Sequence, residues 1–180
     1  MLINDLDTEK SQGMQISRVP FLELECLYQK KSLEMRGIKE HGLELANRME
    51  GRRLIRSHLP LEFLPPDLLE KCKVVYVARN PKDACVSYYH HNLSLPNHCF
   101  TGNFQQFADL FEDGLHAYGS YWHHLLGGWA VRDHPNVKIV WFEAEWNTLI
   151  GRDPSRYCAL IASTLICWHQ GLCHYYTSQD

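Results

Sequence analysis

Positive charge is not in surplus in this chain: 18 Lys and Arg stand against 21 Asp and Glu, for a formal net charge of −3. A general nucleic-acid binder carries a basic face, so this balance argues against that class and makes any anion site local. None of the seven cysteines (26, 72, 85, 99, 158, 167, 173) falls in a Cys-x-x-Cys pair, and their odd number does not suit a closed disulfide framework. Met1–Lys10 is polar and acidic and has no signal-peptide core, so reduced thiols in a cytoplasmic protein are expected. The longest apolar run near the C-terminus, Ala159–Trp168, is too short to cross a bilayer, and no membrane association is expected. Repeats and low-complexity segments are missing too. No G-x-x-x-x-G-K-[ST] loop occurs, which sets aside a nucleotide-hydrolysing reading.

What is present is an ordinary soluble composition: 180 residues, 45% hydrophobic and 22% charged. That is one domain with enough apolar mass for a core. The chain is organised around Lys73–Tyr89, KVVYVARNPKDACVSYY. Val74–Ala78 is a short apolar, β-branched run that reads as a strand buried on both faces. Asn80, Pro81 and Asp83 follow with helix-start chemistry: a capping side chain, a first-turn proline and an acid at the positive end of the dipole. Arg79 therefore stands at the carboxyl end of a strand, beside a helix N-terminus. In open α/β sheets ligands bind at that edge, and both the helix start and the guanidinium suit an anion. An Arg that only pairs beside a helix cap is the other reading.

Leu22, Cys26, Leu27 and Leu33 form an amphipathic stretch, and Leu43, Leu45, Ala46 and Met49 suggest a short helix. Arg53–His58 reads as a second strand stopped by Leu59-Pro60, so His58 falls at the same kind of strand end as Arg79. On spacing alone His58 is either a structural histidine or a functional group at that rim. Pro65-Pro66-Asp67 opens a helical turn over Leu68–Cys72, and Leu93–Asn103 reads as a Pro- and Gly-punctuated loop. Phe104, Phe107, Phe111, Leu115, Tyr118, Trp122, Leu125 and Trp129 recur in three- and four-residue steps. They predict one apolar stripe facing the core, on a long helix or on two helices hinged near Gly114 and Gly119. The adjacent pairs His90/His91 and His123/His124 point their rings apart on a helix, so no metal site is expected. Val137–Phe142 makes a third strand. Trp146–Asp180 shows no clean helical or strand period. Asn92-Leu93-Ser94 matches a glycosylation sequon that an unsecreted chain leaves idle.

Three segments, RLIRSHLPLEFLPPDLL from Arg53, KVVYVARNPKDACVSYYHH from Lys73 and YGSYWHHLLGGW from Tyr118, resemble the cytosolic sulfotransferases. The RVPFLELE segment at Arg18–Glu25 is similar to the insect members. The resemblance implies a sulfotransferase domain over residues 1–143 and a divergent tail over 144–180. It also implies an α/β fold, a parallel sheet with helices on both faces like that of the nucleotide kinases. The implied activity is transfer of a sulfuryl group from 3′-phosphoadenosine 5′-phosphosulfate (PAPS), as co-substrate, to a hydroxyl or amine of a small phenol, alcohol or amine, without a metal. Carried over by motif, His58 would be the general base, Arg79 and Ser87 would hold the 3′-phosphate, and Phe142 would lie near the adenine. An imidazole suits proton abstraction near neutral pH, and an Arg with a hydroxyl suits a phosphate dianion.

The family's phosphosulfate loop and its strand would precede Met1, and its Gly-rich RKG…GDW-type loop would follow residue 180. The expectation is thus an incomplete sheet in a chain truncated at both ends, with Ala144–Asp180 read from another frame or an intron. An inactive remnant that binds the nucleotide or a partner is the alternative function. Arg56 replaces the Lys usual two residues before the His, keeping the charge and changing the geometry. No KxxxTVxxxE-like dimer motif is present, so the oligomeric state stays open.

Overall fold

The computed structural model describes residues 19–27, 42–95, 98–144 and the strand 163–170. Expectations for Met1–Lys10, Leu33 and most of the tail fall outside these residues. The described residues fall in two compact units, the first running to Ser57 and resuming at Cys167, the second spanning His58–Ile166.

The first unit holds two short helices, α1 (Leu24–Leu27) and α2 (Gly42–Arg48), and the strand β1 (Arg52–Ser57). Phe21 bridges Arg56 in parallel. The Leu22 N–H donates to the Arg56 carbonyl at 3.0 Å, and the Arg56 N–H to the Pro20 carbonyl at 2.9 Å. The Arg56 guanidinium lies 4.6 Å over the Phe21 ring, an aromatic stacking role to which a planar guanidinium is better suited than an ammonium. Buried Arg53 donates to the Ala46 carbonyl at 2.9 Å and ties α2 to β1.

The second unit opens with a 3₁₀ turn (Leu61–Phe63) and the helical turn α3 (Leu68–Lys71), which lead into β2 (Lys73–Ala78). There follow α4 (Pro81–Ser94), α5 (Phe104–Glu112), α6 (Tyr121–Ala130) and β3 (Val137–Trp141). β2 and β3 pair in parallel, Val74 opposite Val137 through Ala78 opposite Trp141. The backbone of Ser163–Gln170 forms β4, whose residues from Cys167 on belong to the first unit. This strand lies where the sequence shows no strand period. A short apolar run without alternation does not declare its own secondary structure.

Two further expectations are corrected here. β2 is not buried evenly on both faces: Val74, Tyr76 and Ala78 are buried, while Val75 and Val77 are half-buried. The Tyr76 face is closed by α6, whose Gly128 lies against the Tyr76 ring; an unbroken apolar run cannot reveal that asymmetry. The aromatic stripe is core only in part. Phe107 and Phe111 pack with Ala84, Cys85, Tyr88 and Tyr121, but Trp122 and Trp129 are 47% and 45% exposed. Between α5 and α6 the chain turns through Gly114 and Gly119 at φ of 70° and 71°, left-handed values that glycine adopts without steric cost. That turn resets the helical phase, and α6 buries Tyr121, His124 and Gly128 instead.

α4 also runs two residues past Asn92, to Ser94; Leu95, before Pro96, leaves the helical region as a residue preceding proline does. The sequon asparagine is inside the fold. Asn92 donates to the Tyr88 carbonyl at 2.8 Å, and its side-chain oxygen sits 2.8 Å from His98 Nδ1.

Candidate functional site

The parallel register ends at Ala78 opposite Trp141, and the residues that follow on the two sides still meet. The step after Ala78 opposite Trp141 brings Arg79 beside Phe142, and the next brings Asn80 beside Glu143. Both contacts are present: the half-buried Arg79 guanidinium lies 4.4 Å over the Phe142 ring, and the Asn80 N–H donates to Glu143 Oε1 at 2.7 Å. The Asn80 side chain accepts from the Lys82 N–H at 3.0 Å, and Pro81 takes the first helical position. The helix start has the cap expected of it. It also differs from the expected anion cradle, because the protein's own oxygens already take the Asn80 and Lys82 amides.

Tyr121, at the start of α6, donates its hydroxyl to the Arg79 carbonyl. Burial, and secondarily the negative charge of Glu143, push the Tyr121 phenol up to about 12, so it remains a protonated donor at neutral pH. One turn further along α6, His124 serves the other candidate residue. His58 is 3% exposed; its carbonyl lies 3.1 Å from His124 Nε2, and its ring tilts against Tyr118 at 5.2 Å. The remaining ring nitrogen, His124 Nδ1, is 2.6 Å from the Tyr76 hydroxyl. A carbonyl only accepts, so Nε2 must carry the proton, and the Tyr76 hydroxyl shares its single proton between Nδ1 and the His124 carbonyl, 3.0 Å away. Burial lowers the His124 pKa further below neutrality, which keeps this tautomer uncharged. His123 turns the opposite way, exposed, 3.0 Å from Glu62.

α6 therefore acts as a ruler. Tyr121 and His124, three residues apart on its buried face, hold the carbonyls of Arg79 and His58. Arg79 and Phe142 meet directly; Ser87 is half-buried two turns into α4, joined to Arg79 through the helix itself. Sequence reasoning misses Tyr76, Tyr118, Tyr121, His124 and Glu143. The one available signal is Ser120, whose side chain caps α6 by accepting from the His123 N–H at 3.3 Å. Recognising that cap starts the helix at Tyr121 and corrects its phase.

Near this group, His116 lies between Phe111 (5.2 Å, stacked) and Tyr88 (5.1 Å, edge-on). Neither ring nitrogen has a hydrogen-bond partner among the described residues, and burial lowers its pKa to about 4.

Fold and site together define an α/β protein with its polar groups gathered at the carboxyl ends of parallel strands, the edge at which such sheets hold ligands. The family profile described as Sulfotransferase domain matches residues 1–144. The chain is 37% identical over 149 residues to a luciferin sulfotransferase of Photinus pyralis, covering 78% of this chain and 40% of that one. It is 36% identical over 150 residues to sulfotransferase 1B1 of Mus musculus, covering 82% and 47%. A crystal structure of retinol dehydratase in complex with androsterone and inactive cofactor PAP superposes with a TM-score of 0.71 at 27% identity, covering 82% of this chain and 50% of that one. A second, of retinol dehydratase with retinol and PAP, gives 0.67 at 26%, covering 82% and 49%. The chain belongs to the sulfotransferase family. It spans about half the length of the curated relatives it matches.

Proposed function

We propose that this chain carries the 3′-phosphate and acceptor side of a PAPS-dependent sulfotransferase, acting on a hydroxyl or amine of a small acceptor in the cytoplasm. Residues 1–143 form the family domain in this reading, and 144–180 form a divergent tail. The observation that carries it is the shared anchorage of His58 and Arg79 on one face of α6, which brings a base and a cation to one region of the molecule. The residues suit the nucleotide. A guanidinium stacked on Phe142 and half open can present a planar pair of donors to a phosphate. Ser87 adds a hydroxyl, and Phe142 an aromatic face for the base.

When bound, PAPS supplies the sulfuryl group. His58 takes the proton of the acceptor as the acceptor's oxygen or nitrogen bonds to sulfur. The S–O bond to the nucleotide breaks in the same exchange and its electron pair leaves with the nucleotide. Tyr118, against the His58 ring, gives the acceptor an aromatic wall. The Tyr76–His124 pair fixes the backbone from which the imidazole projects. Such a general base contributes about a hundred- to ten-thousandfold in rate. The names of the relatives and the ligands in the solved structures, a luciferin, retinol and androsterone, favour flat apolar acceptors. The test is direct. Purified chain is incubated with PAPS and a simple phenol, and sulfated product is followed by mass spectrometry. Product that disappears in His58→Ala supports the reading; product indifferent to that substitution overturns His58 as the base. Nucleotide binding with no product assigns the chain a binding role instead.

A further inference from the structure

The peptide joining Arg79 to Asn80 is held at both of its polar ends. Its carbonyl, on Arg79, accepts from the Tyr121 hydroxyl. Its N–H, on Asn80, donates to the Glu143 carboxylate at 2.7 Å. The two partners come from different elements: Tyr121 opens α6, and Glu143 follows the end of β3. This peptide lies beyond the last β2–β3 register pair, Ala78 opposite Trp141, and ahead of the first intrahelical bond of α4, from the Ala84 N–H to the Asn80 carbonyl. Neither strand nor helix therefore orients it. A peptide plane in that position can rotate about the two single bonds that flank it, and its rotation sets how the strand end that carries Arg79 is joined to α4, and so where the Arg79 side chain lies relative to Ser87.

We infer that Tyr121 and Glu143 are positioning residues that lock this one peptide plane and so hold the Arg79 guanidinium in register with Ser87 on α4. Gripping a phosphate with two parallel N–H bonds tolerates little angular error, so the aim matters more than the mere presence of the charge. The raised pKa of the Tyr121 phenol, with Glu143 among its causes, agrees with the two groups lying close together at the peptide. Glu143 does this as an acceptor, not as a charge, so an amide oxygen should replace it. The inference deepens the reading above, in which Arg79 holds the 3′-phosphate.

The experiment compares two nucleotides that differ only there, 3′-phosphoadenosine 5′-phosphate and 5′-AMP, by titration calorimetry on the full chain. Tyr121→Phe and Glu143→Ala are each expected to weaken the 3′-phosphorylated nucleotide about tenfold and 5′-AMP less than about twofold, the loss of one well-aimed charged hydrogen bond. Glu143→Gln should stay within about threefold of wild type for both. Affinities for both nucleotides that fall in parallel, or a fall in melting temperature alone, would show a merely structural role and overturn the inference. Arg79→Ala separates the two claims. If it leaves the preference between the nucleotides unchanged, or if wild type binds neither, the functional reading fails. The clamp is then decided without ligand, from Asn80 amide exchange and the nitrogen-15 NOE of the Arg79 Nε–H. Faster exchange in Glu143→Ala and a lower NOE in both disruptive variants support it; unchanged values in both measurements refute it.

Discussion

Two neighbouring glycines on α6 should respond in opposite directions to the same substitution. A Cβ on Gly127 would meet nothing within 4 Å, whereas a Cβ on Gly128 would lie 2.4, 2.6 and 2.8 Å from Cε2, Cζ and Cδ2 of Tyr76. Both lie inside a ten-residue helix, where Gly→Ala is worth about 0.5–1 kcal/mol through backbone entropy and helix propensity. Gly127→Ala should show that gain undiluted. At Gly128 the same gain is opposed by overlap with a ring that is 1% exposed. That ring is also pinned, through its hydroxyl, to His124 Nδ1 at 2.6 Å and to the His124 carbonyl at 3.0 Å. The ring cannot swing away, so α6 must move off β2. Overpacking of this kind costs about 1–3 kcal/mol and sometimes more, which leaves Gly128→Ala destabilised by roughly 1–2 kcal/mol. For a chain of this size each kcal/mol moves the melting temperature by about 2–4 °C. Thermal and urea melts followed by circular dichroism should show Gly127→Ala above wild type and Gly128→Ala below it. Equal shifts of the same sign would refute the packing of Tyr76 on Gly128, and with it the placement of α6 that carries Tyr121 and His124.

Tyr76→Phe removes the donor to buried His124 Nδ1 and should cost about 1–3 kcal/mol in urea unfolding, the penalty of an unsatisfied buried acceptor; a neutral result would remove His124 from its assigned tautomer. His116 has a folded pKa of about 4 against an ordinary value of 6.5. Between those values the unfolded chain binds the extra proton, so stability is full above about pH 6.5 and declines as the pH falls toward 4. Because the ring is partly exposed, the loss is discounted to about 1–2 kcal/mol. His116→Phe keeps the stack on Phe111 and should flatten this part of the pH–stability curve, gaining more at pH 5 than at pH 7.5; an unchanged pH slope would contradict it. Asn103 caps α5 in a reciprocal box with Gln106, so Asn103→Ala should lower stability by about 1 kcal/mol without altering nucleotide affinity, as paired melts and calorimetry would show.

The turn from β2 into α4 is legible in the sequence because its chemistry is local. Asn80, Pro81 and Asp83 act on amides one to three residues away, so neighbouring letters suffice to read the cap and to place Arg79 at the strand end. The phase of α6 is legible only in part. The three- and four-residue steps that make Phe107 and Phe111 core continue unbroken in the letters through Tyr118, Trp122 and Trp129, but the left-handed turns at Gly114 and Gly119 break them in space. The supporting residues of the site are not legible at all. Tyr121, Glu143 and His124 meet partners 42, 63 and 66 residues away, and nothing in the letters around them marks such a contact.

Local residue chemistry by itself determined where β2, α4 and β3 start, that His58 and Arg79 stand at strand ends, and, through three long motifs, the family. Only the tertiary structure decided that Arg79 lies on Phe142, that its peptide is gripped by Tyr121 and Glu143, and that one helix face holds both candidate residues. The reason is physical: caps and periodicity arise from forces acting within a turn of the chain, whereas parallel register and helix-on-sheet packing are chosen by distant segments fitting together.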